Sequence, residues 1–236
     1  MTRAAAAVIG IAAVAFMLLG SGRLEPPSPD AFPVRGIDVS HHQGPIDWGR
    51  VADAGIEFAY IKATEGRDFR DPRFEANWAA AGTAGIARGA YHFFTFCSDG
   101  RAQAEHFLRV APPASGALIP VADVEFVGNC MGWGDLGAVR ARLGAFLERV
   151  QRAWGVPPIL YVTPDAHRRV LAGQFRSHPV WLRSVEETPA VDAFGGWLVW
   201  QFSETGAVPG IRGPVDLNTL RPGVTVRALR TPATPQ

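Results

Sequence analysis

Short hydrophobic runs alternate with helical patterns along most of the chain. The runs are rich in β-branched and aromatic residues and are bounded by glycine, proline or aspartate, as is typical of buried strands. Eight strands are predicted, at 35–40, 57–63, 87–96, 118–126, 157–162, 179–185, 196–203 and 214–217. Helices are predicted between several of them, at 46–54, 72–84, 101–110, 136–154 and 164–171.

This alternation of strands and helices is typical of a parallel α/β barrel. The stretches between the last three strands are too short, or too rich in glycine and proline, for full helices. We therefore expect an irregular, incomplete TIM-like barrel of about eight strands with fewer helices, in a single domain at 34–224. The chain after Pro222 is short and polar, so residues 225–236 are expected to form a frayed tail.

The first 22 residues have the features of an export signal. A positively charged start that ends at Arg3 precedes an uncharged, mostly apolar run at 4–20. The run is short for a membrane span and the small residues after it match a cleavage site poorly, so a cleaved signal peptide and a retained membrane anchor both stay open. In either case the positive-inside rule places the remainder outside the cytoplasm, secreted or periplasmic. Residues 23–33, with four prolines, are predicted to be a stiff linker.

The charge balance excludes some classes of partner. The 236 residues include 23 basic and 22 acidic side chains, which leaves a net charge of +1. Nucleic-acid binding and a polybasic membrane patch both need a basic excess that this chain lacks. We therefore expect no nucleic-acid partner, contact with a membrane only through the N-terminal segment, and a monomer.

Two cysteines, Cys97 and Cys130, lie in this exported chain. An even count in that setting favours a disulfide over a metal site. The two follow the third and fourth predicted strands, and loops that leave the same rim of a barrel at neighbouring strands can meet. A bridge is therefore predicted, with two free buried thiols as the alternative.

Acidic residues recur at the carboxyl ends of the predicted strands, where barrel enzymes hold their active sites. Since side chains at i and i+2 of a strand share a face, Asp123 and Glu125 project together. Like charges this close raise at least one pKa and keep a protonated acid available near neutral pH, as glycoside cleavage requires. A salt-bridged pair at a strand end is the alternative for an isolated instance. The candidate catalytic residues are Asp38, Asp123, Glu125 and Asp216.

Aromatic side chains in the strand runs are candidates to pack against sugar rings, with barrel core as the alternative for each. They are Tyr91, Tyr161, Trp181 and Trp200. The pair His41 and His42 has only Asp38 and Glu65 as plausible companions and lacks a metal-ligand spacing, so neither a metal site nor a cofactor is predicted.

Several motifs in one order resemble glycoside hydrolase family 25, the family 25 lysozymes or muramidases. They are GIDVSHHQG at 36–44, YIKATEG at 60–66, GAYHF at 89–93, DVE at 123–125, ILY at 159–161, WQF at 200–202 and VDLN at 215–218. The resemblance covers residues 34–220 and implies an irregular α/β barrel that cleaves the β-1,4 bond between N-acetylmuramic acid and N-acetylglucosamine in peptidoglycan. It also implies a role for Glu125 as the catalytic acid, for Asp123, Asp38 and Asp216 in completing the acidic site, and for Tyr91, Tyr161 and Trp200 in lining the sugar groove.

The sixth predicted strand departs from the family's pattern. Where the family commonly reads Leu-Trp-x-Ala-x-Tyr, residues 180–185 read Val-Trp-Leu-Arg-Ser-Val, so Arg replaces a small residue and Val185 an aromatic one. Arg183 shares a strand face with Trp181 and is therefore expected to point into the barrel. An arginine there cannot lose its charge, so it needs an anionic partner or a path to water. The partner is expected to be Glu65, Asp123 or Asp216, or else a carboxylate of the substrate, with a solvated side chain as a third alternative.

Two other functions are alternatives. A catalytically silent peptidoglycan-binding module would keep the groove as a tether, although the intact acidic set argues against it. A hydrolase of another N-acetylated polysaccharide, such as chitin, is permitted by the fold alone. For the reaction itself, retention assisted by the substrate's 2-acetamido group is favoured, while direct attack by a carboxylate and inversion through water stay open.

Overall fold

The computed structural model describes residues 32–231. The predicted signal or anchor segment and residues 232–236 lie outside this range, as does nearly all of the predicted linker. The strands within it are β1 (Arg35–Val39), β2 (Phe58–Glu65), β3 (Phe69–Arg70), β4 (Ala87–Phe93), β5 (Val121–Val124), β6 (Ile159–Val162), β7 (Val180–Arg183), β8 (Trp197–Gly206) and β9 (Val215–Leu220). The helices are α1 (Trp48–Asp53), α2 (Phe74–Thr83), α3 (Gly100–Val110), α4 (Leu136–Trp154) and α5 (Pro164–Ala166), and α5 continues into a wider helical turn at His167–Leu171.

All eight predicted strands are present, and they close into a barrel. Neighbours pair in the order β1, β2, β4, β5, β6, β7, β8 and β9, and β9 pairs with β1 to complete the circle. The two-residue strand β3 forms a hairpin with the end of β2 outside this circle. The irregular barrel with few helices is therefore confirmed.

The expectation of an all-parallel barrel is wrong for the last strand. β9 runs antiparallel to both of its neighbours, β8 and β1. Only residues 207–214 connect β8 to β9, and a parallel crossover needs a dozen residues or more. The chain therefore turns straight back, and β9 begins at the rim where β1 to β8 end.

Apolar side chains form one core inside the barrel and another between the barrel and its helices. The inner core has room for large rings because Gly36 and Gly89 line it, and an added Cβ there would lie 2.2 Å from the rings of Phe58 and Tyr60 respectively. The helices cover the outside with one apolar face each, as the spacing of the buried residues in α4 illustrates. Those residues are Val139, Leu143, Phe146, Leu147, Val150 and Trp154.

The predicted disulfide is confirmed. Cys97 and Cys130 are bonded, with their Cα atoms 6.2 Å apart. The bridge joins the segment after β4 to the segment after β5, at the rim where both strands end.

The chain after Pro222 is packed rather than frayed as far as Thr231. Leu229 is fully buried in the inner core, and its carbonyl accepts a hydrogen bond of 2.8 Å from the amide of Ile119. Thr231 also donates its amide to the carbonyl of Ala117. Val224 and Val226 also pack against this core, so apolar contacts anchor the otherwise polar segment. No helix within residues 32–231 is both long and apolar enough to cross a membrane.

Candidate active site

A cavity of about 220 Å³ opens at the rim where β1 to β8 end. An adjoining cavity of about 380 Å³ shares six lining residues with the first, and we call the two together the acidic groove. The residues common to both are Asp38, Tyr91, Asp123, Glu125, Val127 and Asp216. All four predicted catalytic carboxyl groups therefore lie in one groove.

Strand register accounts for this convergence. Asp38 near the end of β1 lies directly opposite Asp216 near the start of β9, because these strands are antiparallel. Asp123 is the third residue of β5, and Glu125 follows the strand directly. Both line the groove, as the two-residue period of a strand requires.

Asp38 and Asp216 form a hydrogen-bonded pair of carboxyl groups. Burial, followed by the charge of Asp216, raises the pKa of Asp38 well above its ordinary value. Burial also raises the pKa of Asp216, to about 6, and its hydrogen bond to Asp38 opposes that rise. The two carboxyl groups therefore titrate as a coupled pair, and burial favours the protonated form of both.

The Asp38 carboxyl group is oriented through a relay of side chains. The Asn218 amide donates to Asp38 Oδ2 at 2.7 Å. The Asn218 carbonyl oxygen accepts a hydrogen bond of 2.9 Å from Nε1 of Trp181. The relay therefore fixes the amide of Asn218 and, through it, the position of Asp38.

Asp123 is only 8% exposed, and its Oδ1 atom has no hydrogen-bond partner within the described chain. Burial is the main cause that raises its pKa well above the ordinary value, and the charge of Glu125 adds to it. Lys62 opposes both effects. A buried carboxylate oxygen without a partner is costly, and a ligand that donates a hydrogen bond would satisfy it.

Glu125 has the pKa of a group that can donate a proton near neutral pH. Burial raises its pKa to about 7, against the opposing charge of Arg183. Glu204 and Asp216 contribute smaller increases. At this strand end Glu125 is therefore a protonated acid near neutral pH, and Asp123 is the second carboxyl group beside it.

Three of the four predicted aromatic residues line the groove. Tyr91 and Tyr161 form part of its wall, and Trp181, which is 1% exposed, forms its floor against Tyr161 with the ring centroids 5.0 Å apart. Trp200 does not line the groove. Its ring packs against Trp197 on the outside of the barrel, and its Nε1 atom donates to the carbonyl of Ser184.

Arg183 and Glu65 both line the groove, and each has an ion-pair partner. Arg183 pairs with Glu204 rather than with Glu65, Asp123 or Asp216. Glu65 accepts a hydrogen bond of 2.7 Å from Lys62 instead. His41 is held by Asp71 at 2.9 Å.

Some residues that line the groove, or that support it as Asn218 does, were not among the sequence candidates. The sequence could have indicated Asn218 and Gln201, because each lies two residues from an inward-facing side chain of the same strand. The sequence contains no such indication for Glu204, because the β8–β9 register shifts twice after Gln201 and breaks the two-residue period. Lys62 lay inside a quoted motif without an assigned role.

A closed barrel with several carboxyl groups around one open groove, one of them protonatable near pH 7, has the features of a glycoside hydrolase. The family model for glycosyl hydrolases family 25 matches residues 37–211. The chain belongs to this family and is a glycoside hydrolase.

Individual relatives agree with the family assignment. Lysozyme M1 of Streptomyces globisporus is 37% identical over 200 residues, which cover 80% of this chain and 68% of that protein. A family 25 glycosyl hydrolase from Bacillus anthracis has a similar structure, with a TM-score of 0.76 and 35% identity over 81% of this chain and 90% of the other. A bacterial lysozyme from Streptomyces coelicolor has a TM-score of 0.75 and 36% identity, over 83% and 94% of the two chains.

Proposed function

We propose that the chain hydrolyses the β-1,4 bond between N-acetylmuramic acid and N-acetylglucosamine in peptidoglycan, with Glu125 as the general acid. The observation that carries the proposal is the raised pKa of Glu125, about 7, in a groove that it shares with Asp123. Two of the relatives are lysozymes, which supports peptidoglycan as the substrate.

In the first step Glu125 gives its proton to the bridging oxygen, and the bond between that oxygen and the anomeric carbon breaks. The carbonyl oxygen of the substrate's own 2-acetamido group bonds to the anomeric carbon and forms an oxazolinium ion. In the second step water attacks this carbon and gives a proton to the Glu125 carboxylate. The muramic acid product keeps its β configuration.

Asp123 is proposed to orient the acetamido group. Its unpartnered Oδ1 atom is an acceptor for the acetamido N–H. The positive charge that develops on the ring favours the ionised form of Asp123. The carboxylate would in turn stabilise that charge, a type of stabilisation that contributes two decades or more to many enzymes.

Glu125→Gln tests the acid, because the amide keeps the shape of the side chain but cannot deliver a proton. We expect turnover of purified peptidoglycan to fall by roughly a hundredfold or more, with binding retained. Glu148→Gln is the matched control, since the Glu148 side chain is 71% exposed on α4. Loss of binding together with activity would mean that Glu125 has a structural role.

Product analysis separates the alternatives for substrate and mechanism. New reducing ends of N-acetylmuramic acid, released first as the β anomer, are expected. Reducing N-acetylglucosamine ends or hydrolysis of chitin would contradict the proposed bond, and an initial α anomer would indicate inversion. Binding without any new reducing ends would identify a tether.

We further propose that the chain acts outside the cytoplasm. Residues 1–22 have the pattern of a signal or anchor, and the Cys97–Cys130 bridge supports an oxidising compartment. A fusion of residues 1–33 to a phosphatase that is active only after export is expected to show activity. An inactive fusion would contradict this location.

A further inference from the structure

We propose that Arg183 forms a carboxylate-binding subsite in the acidic groove, which favours glycans that carry an acidic substituent over neutral ones. This inference rests on the proposed function, because it concerns how the same groove selects its sugar. It begins from the position where the chain departs from its family's pattern. Arg183 ends β7, shares a face with Trp181 and lines the groove beside Glu125.

The hydrogen bonds of Arg183 leave part of its guanidinium group available. Nε and Nη2 both donate to a single oxygen of Glu204, Oε1, with the Nε contact at 2.8 Å. Nη1 makes no hydrogen bond within residues 32–231. Glu204 thus holds one edge of the guanidinium plane and fixes its direction, while donors on the other side remain for a ligand.

Because the groove is acidic, it needs a cationic side chain if it is to bind an acidic ligand. The wall carries several acidic groups, which would repel a carboxylate on the substrate. Lys62 is the other cation that lines the groove in the described part of the chain, and it is held by Glu65 at 2.7 Å with Phe93 beside it. Arg183 is therefore the group that can receive a carboxylate. The acidic residues are Asp38, Glu65, Asp123, Glu125, Glu204 and Asp216.

The chemistry of the substrate supplies that carboxylate. N-acetylmuramic acid differs from N-acetylglucosamine by a lactyl ether, which ends either in a free carboxylate or in an amide to a stem peptide with carboxylates of its own. Chitin has neither. A guanidinium group makes short, charge-assisted hydrogen bonds to carboxylates, so it would distinguish these polymers.

Binding measurements in the inactive Glu125→Gln background separate this subsite from catalysis. The ligands are glycan strands freed of stem peptides, strands that retain them, and chitin oligomers. We expect Arg183→Ala to raise Kd roughly tenfold for at least one of the two acidic ligands and to leave chitin binding unchanged. An effect on the stripped strands alone would identify the lactyl carboxylate, and an effect on the peptide-bearing strands alone the stem peptide.

Two further variants keep the test clear. Arg183→Gln preserves most of the side-chain volume and is used if the alanine variant unfolds, while Arg168→Ala removes an exposed arginine outside the groove and should change nothing. Equal weakening for acidic and neutral glycans, or unchanged Kd for both acidic ligands, would overturn the subsite. The proposed function fails by a different result, namely absence of new reducing ends with the wild-type chain.

Discussion

Four of the carboxyl groups in the groove affect the stability of the fold. Their pKa values are raised, chiefly by burial. The folded chain therefore binds more protons than the unfolded chain between about pH 4 and pH 7, and the free energy of unfolding falls as the pH rises through that window. The residues are Asp38, Asp123, Glu125 and Asp216.

Replacement of Glu125 by Gln should stabilise the protein at alkaline pH. The amide has no charge to bury, so we expect the free energy of unfolding at pH 8 to rise by roughly 2 kcal/mol, a value reduced for the coupling between the acids. At pH 4 the difference should be small, because Glu125 is then protonated in the folded state and largely protonated in the unfolded state. Urea titrations at the two pH values, with Glu148→Gln as the control, measure this. An equal gain at both pH values would contradict it.

Activity should decline as the pH rises through about 7, because Glu125 then loses the proton it must donate. Glu204→Gln should move this decline to lower pH, since the charge of Glu204 raises the pKa of Glu125. A kcat profile from pH 4 to 9 checks both expectations, and an unmoved alkaline limb in the variant would refute the second. The charged groups that face Glu125 are Asp38, Lys62, Asp123, Arg183, Glu204 and Asp216.

At the scale of elements, the turn that follows β5 is held by the side chain of Asn129. Its amide donates to the carbonyl of Glu125 at 2.9 Å and to that of Phe94 at 3.0 Å. Its oxygen accepts from the amide of Phe96 at 2.8 Å. The next residue, Cys130, is in the disulfide. The backbone of the proposed acid is thus tied to the neighbouring strand end.

Asn129→Ala should lower kcat about tenfold and leave KM within about twofold, because misplacing a catalytic group harms the reaction more than binding. Asn129→Asp should behave similarly, since it keeps an acceptor but cannot donate to the carbonyl of Glu125. Steady-state kinetics on soluble glycan strands measure both variants. Full activity in either variant would show that the turn needs no such support.

Element by element, the sequence predicts more of the barrel than of the groove. Apolar runs bounded by glycine and proline mark every barrel strand, because burial and turns leave strong patterns. Trp200 was proposed for the groove from its strand run and from the resemblance, although alternation with its neighbours Val199 and Gln201, which face inward, puts it outside. Glu204 reaches the groove only through the irregular β8–β9 pairing, and no periodic pattern encodes such a shift.

Taken as a whole, the molecule has an open end and a closed end. The groove occupies the end where β1 to β8 terminate. At the other end Leu229 closes the inner core, where it is packed with Phe58 and Leu118. The closed end thus depends on a segment that follows the last strand.

Leu229→Ala should destabilise the whole barrel by about 2 to 4 kcal/mol, because it opens a cavity at the base of the inner core. Activity at a temperature where the variant stays folded should be unchanged, since the groove lies at the opposite end. Val191→Ala serves as the control, because Val191 is 52% exposed. Thermal unfolding followed by circular dichroism measures both, and equal midpoints for the two variants would contradict a role for Leu229.

The reversed direction of β9 also determines where a support or a fusion partner can be attached to the domain. Because β9 runs back, Thr219 near its end hydrogen-bonds Val34 just before β1, and the segment that follows returns to Ala117 on the same side. A ninth strand in the usual direction would have delivered the chain to the mouth of the groove. Instead, both ends of the domain lie on the side of the barrel opposite the groove. A support or fusion partner joined at either end therefore does not obstruct the approach of a long polymer to the groove.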